Sequence, residues 1–115
     1  MKVVGLIAAV VLHISTAQAS AATVWAPVAS CGDWLVERQS QSEMAIQYQN
    51  FVSGFVSGVA LGEAFPKEAL AASTPAGVYT WIDGYCQRQP LDQLSEATYA
   101  ATRAILKKAR SRKSN

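Results

Sequence analysis

The run Phe51-Val52-Ser53-Gly54-Phe55-Val56-Ser57-Gly58-Val59-Ala60-Leu61-Gly62 admits few folds. Tyr48, Phe51, Val52, Phe55, Val56 and Val59 recur at spacings of three and four, the period of one helical face. Gly54, Gly58 and Gly62 form a second row at steps of four. No stretch of the chain alternates apolar and polar residues as a half-buried strand would. The run is therefore expected as a central helix of an all-α domain. An interior glycine costs a helix about 1 kcal/mol relative to alanine. A row of them predicts a face that another backbone approaches closely, with Gly54, Gly58 and Gly62 as packing positions. Gly62 also reads as a C-cap.

The flanks supply three more helices. Asp33 to Arg38 makes a short amphipathic turn or two, with Trp34 and Leu35 inward and Glu37 and Arg38 outward. Ser42 followed by Glu43 suits the start of the central helix, which should run to about Ala64 before Pro66. Gln47, Gln49 and Asn50 give that helix a wet side that argues against a membrane span. The connector from Pro66 to Thr74 has room for one turn through Lys67-Glu68-Ala69-Leu70. Thr74-Pro75 then reads as N-cap and first helical residue. The next helix carries Val78, Tyr79, Trp81, Ile82, Tyr85 and Cys86, must stop before Pro90, and is the expected partner of the glycine row. Leu91, Leu94, Ala97 or Thr98, Ala101 and Ile105 mark the last amphipathic helix.

Residues 1–19 have the pattern of a signal peptide. Lys2 is the positive n-region, Val3 to Ile14 the apolar h-region, and Ala17-Gln18-Ala19 the cleavage site. Cleavage before Ser20 is expected, giving a periplasmic protein without stable membrane insertion. The h-region is shorter than the roughly 18 apolar residues of a span, which disfavours an uncleaved anchor. Residues 20–30 read as an extended lead-in, 31–108 as the helical domain and 109–115 as a basic flexible tail. The 96 residues left (115 less 19) bury little for a domain, so a staple helps. Cys31 and Cys86 are the only two cysteines, and a lone pair in an oxidising compartment bonds. By the chain-entropy argument, closing that loop stabilises the fold by at most about 4 kcal/mol, since strain and residual structure subtract. A metal site is not expected, because His13 leaves with the signal peptide.

All eight acids lie between Asp33 and Glu96, whereas Lys107, Lys108, Arg110, Arg112 and Lys113 crowd the end. Those cations complement the dipole of a helix C-terminus, a reading preferred over a lipid or nucleic-acid contact. Without histidine, and with both cysteines oxidised, Ser-His and Cys-His catalysis is closed to the exported chain. Neither an enzyme nor a cofactor is expected. Asp83, set amid aromatic residues one turn ahead of Arg88, reads as a packed or ion-paired acid. So small a domain cannot bury every ring, so Trp34, Phe51, Phe55, Trp81 and Tyr85 are candidates for a protein-binding surface.

Taken together, Cys31-x-x-Trp34, Gly54-Phe55-Val56-Ser57-Gly58 and Trp81-Ile82-Asp83-x-Tyr85-Cys86-x-x-x-Pro90-Leu91, closed by a lysine-ending amphipathic helix, resemble the HdeA/HdeB group of small exported helical proteins. The likeness covers about Cys31 to Lys108 and implies about four helices with Cys31 and Cys86 as the disulfide. It further implies a homodimer near neutral pH that loosens in acid and holds denatured periplasmic proteins, an acid-stress chaperone. The doubled F-V-S-G and the W-I-D-x-Y-C stretch depart from the founding chaperones. A second likeness is to Tai-type immunity proteins, exported inhibitors of cell-wall-degrading amidases, although those carry further cysteines that this chain lacks. A structural envelope protein is the third expectation.

Overall fold

The computed structural model describes residues 26–62 and 67–114. The expected signal peptide, Trp25 and the segment 63–66 lie outside the described residues. Five helices follow one another: α1 (Cys31–Ser40), α2 (Glu43–Gly62), α3 (Lys67–Ala71), α4 (Pro75–Arg88) and α5 (Leu94–Lys113). The fold is all-α, and the described residues contain no strand, only an isolated bridge between Ser30 and Gln93.

Local chemistry sets the helix ends. Ser30 caps α1 in a capping box with Asp33, and Gln41, in the left-handed region at φ 53°, closes it by donating its backbone N–H to the Glu37 carbonyl. Ser42 then accepts the Ala45 amide at 3.1 Å and starts α2. Thr74 accepts the Gly77 amide at 3.0 Å ahead of Pro75, the expected start of α4. α4 ends at Arg88, two residues before Pro90. The last helix begins later than expected: Leu91 sits in the turn, almost fully exposed, and Leu94 is the first helical residue.

The core gathers Trp34, Val52, Ile82, Leu94, Thr98 and both cysteines, all fully buried. Thr98 and Thr102 are buried on α5 without an orphaned hydroxyl, because each donates to the carbonyl four residues back, at 2.7 and 2.8 Å. The end of the lead-in belongs to this core. Ala29 is buried, its carbonyl accepts the Leu94 amide at 2.8 Å, and the Cys31 amide reaches the Asp92 carbonyl at 2.7 Å. Cys31 and Cys86 form the disulfide, with Cα atoms 4.8 Å apart.

The glycine row is a correction to the expectation from sequence. α2 buries Ala45, Tyr48, Val52 and Val56. Gly54, Gly58 and Gly62 are exposed, and a Cβ added at any of them would meet nothing within 4 Å. Nor does Gly62 adopt the left-handed cap conformation, since no glycine among the described residues has positive φ. Bulk decided the orientation. Burying the valine and tyrosine stripe removes far more apolar surface from water than burying glycines would, and one helix turns only one side to the core. α4 meets α2 through side chains instead, with the Tyr79 hydroxyl against Ser53 and the Gln49 carbonyl.

Candidate functional site

α1 carries Trp34 and Arg38 four residues apart on one face, and α4 carries Tyr79 and Asp83 in the same relation. The four side chains interlock. Asp83 accepts from Trp34 Nε1 at 2.7 Å, and its two oxygens take Arg38 Nε at 3.1 Å and Nη2 at 2.7 Å. The guanidinium also lies over the rings of Trp34 and Tyr79, 5.4 and 5.6 Å from their centroids, and those rings meet edge to face at 6.0 Å. Hydrogen bonding to Asp83 holds Arg38 above the usual guanidinium value, against a smaller opposing effect of burial. Arg38 and Asp83 are about a quarter exposed, which places the pair between a screened surface bridge and a dry one. It is the one ion pair among the described residues.

Other carboxylates work at neighbouring joints. Asp33 accepts the Ser30 amide and hydroxyl, both at 2.8 Å, and the amide above all holds its carboxyl below the usual range. Glu37 takes the hydroxyl of Ser42 across the α1–α2 turn. Asp92 accepts the Tyr85 hydroxyl at 2.5 Å, which together with burial pushes that phenol up. Glu96 accepts the Gln93 amide at 2.9 Å and caps α5. Five carboxylates thus act as acceptors where elements begin or meet.

The aromatic residues expected on one binding surface are divided. Trp34 is fully buried, so it belongs to the core and not to a surface. This is a second correction, and its cause is that the Asp83 carboxylate satisfies the indole N–H inside the fold. Phe51 and Phe55 form one half-buried pair, 6.1 Å between centroids, on α2. Trp81 and Tyr85 stack at 5.8 Å on α4, with Trp81 39 % exposed. Sequence reasoning turned Arg38 outward and assigned Tyr79 no role beyond the core. The signal for both was the four-residue spacing that puts Arg38 above Trp34 and Asp83 above Tyr79.

Beside Trp81 a groove of about 410 Å³ runs between α4 and α5, lined by Val78, Trp81, Ala101, Ala104 and Ile105, with Ser73, Thr74 and Lys108 at the end where α4 begins. Among the described residues no three His, Cys, Asp or Glu side chains gather as a metal site requires. No helix there is long and apolar enough to cross a membrane. What the arrangement offers is binding through rings and apolar walls, on a frame whose joints are carboxylates. Compared with known proteins, the chain matches no family model, no curated protein and no solved structure.

Proposed function

We propose that the protein is an exported, acid-responsive holdase that binds denatured envelope proteins through apolar surface released at low pH. One observation carries the reading: Asp83 latches α1 to α4 while the Cys31–Cys86 bond ties the same two helices. The latch is a charge-assisted contact and the tether is covalent, so whatever weakens the first leaves the second in place. Asp33, whose carboxyl the Ser30 amide holds below the usual range, gives up its stabilising bonds as pH falls through that lowered value. From Ser20 onward the chain carries nine cations and eight acids, so its net charge climbs from about +1 to about +9 as the acids are protonated near pH 4. Self-repulsion then loosens the helices, and Trp34, Val52 and Ile82 become reachable surface.

The test is suppression of client aggregation at pH 2–3 against pH 7, with an apolar-surface dye followed in parallel. Activity and dye binding confined to acid support the proposal, and a chain that stays dye-silent and inactive toward clients in acid overturns it. A second reading, a specific binder of a protein effector at neutral pH, draws on the partly exposed Trp81 beside its groove. Retention of a single partner at pH 7, without dye binding, would favour it.

A further inference from the structure

The groove between α4 and α5 has a chemistry independent of the acid reading. Its walls are mostly apolar, and Gly77, Ala101 and Ala104 contribute almost no side chain, which leaves a slot beside Trp81. At about 410 Å³ it lies toward the lower end of the roughly 300–1,000 Å³ found for small-ligand sites. A protein interface covers about 800 Å² on each side and would not be confined to such a slot.

Polarity is concentrated at one end. The Ser73 hydroxyl donates to the Ala69 carbonyl at 3.0 Å, and Thr74 Oγ1 accepts the Gly77 amide at 3.0 Å. Lys108 is exposed and lines this end of the groove, so its ammonium is the charged group that a ligand lying there would meet. It stands where α4 begins, and the first turn of α4 carries no acid to offset the positive pole of that helix. Lys107, Arg110 and Arg112 add positive potential from the same stretch of α5. An apolar slot closed by an ammonium and a helix N-terminus complements one long apolar chain with one negative end.

We propose that this slot binds a long-chain fatty-acid anion, its carboxylate at Lys108 and its chain laid along Ala104 and Ala101 toward Trp81. The probe is palmitate, below its micelle concentration, titrated calorimetrically into the purified protein at neutral pH. Hexadecanol and hexadecyltrimethylammonium supply the same chain with no charge and with the opposite charge. Palmitate is expected to saturate at one per chain, hexadecanol to bind about tenfold more weakly, and the cationic amphiphile not to saturate. Brominated palmitate should quench tryptophan emission in the wild type, and Trp81→Phe should lose most of that quenching. Lys108→Glu should weaken palmitate about tenfold and leave hexadecanol unchanged. Ala104→Leu fills the slot and should abolish both. If Ala104→Leu fails to fold, the exposed Lys108→Glu variant decides by itself. Equal binding of all three amphiphiles, or palmitate binding indifferent to Lys108→Glu, would overturn the proposal. So would an acidic amphipathic peptide that occupies the groove and is not displaced by palmitate.

Discussion

Asp83 answers three donors on α1 with two oxygens, and that geometry predicts what its neighbours tolerate. Asp83→Asn keeps one carbonyl acceptor but loses the charge and one lobe of the fork. A charge-assisted bond that is a quarter exposed suggests a loss of about 1–2 kcal/mol, measured by urea unfolding at pH 7. The same variant should bind apolar-surface dye at a higher pH than the wild type, because its joint between α1 and α4 is already weakened. Arg38→Lys should lose nearly as much, since an ammonium cannot reproduce the planar fork or its stacking over Trp34 and Tyr79. If it matches wild-type stability, the guanidinium geometry is not what holds the joint.

α2 has two rows at one helical period, and only one can face the core. The outward turn of its glycines reverses the usual expectation for such a row: Gly54→Ala and Gly58→Ala should each stabilise the protein by about 0.5–1 kcal/mol. Thermal unfolding of the two variants checks this, and a loss at both would mean that something covers the row. The same helix shows what sequence could and could not disclose. Its start at Ser42, the Thr74-Pro75 start of α4 and the stop before Pro90 were legible because caps and prolines act over a few residues. Which stripe of α2 faces inward was not, because periodicity gives faces without naming the partner. The link between Arg38 and Asp83, 45 residues apart, was illegible for the same reason: local spacing set both side chains in place, and only the crossing of α1 over α4 joined them.

The molecule should be most stable between about pH 5 and pH 10. Asp33 has its carboxyl held below the reference 3.8, so its stabilisation is complete above the unfolded value and is lost as pH falls through the depressed one. Tyr48, through burial, and Tyr85, through Asp92, are raised above the reference 10.0. Their contribution is complete below that value and is lost as pH rises through the folded one. A melting temperature flat across neutral pH and falling below about pH 4 is expected, and a steep change between pH 6 and 7 would contradict it. Replacing both cysteines by serine should cost up to about 4 kcal/mol at neutral pH and, in acid, let the chain expand beyond the wild type by scattering.

The same bond divides the chain topologically. Cys31 and Cys86 close a ring that contains α1, α2, α3 and nearly all of α4, while α5 hangs outside it as a linear arm. That arm supplies Leu94, Ala97 and Ala101 to the core and also bears most of the positive charge. It is joined to the ring through residues 89–93 and held against it by packing and by its cap at Glu96. In the proposed acid opening, amides of 94–113 are expected to exchange before those inside the ring, which hydrogen exchange at low pH would measure. On neutralisation the ring is a preformed template onto which one helix must re-dock. That is a folding problem of local search and short loop closure, which a chain emerging from acid can solve quickly.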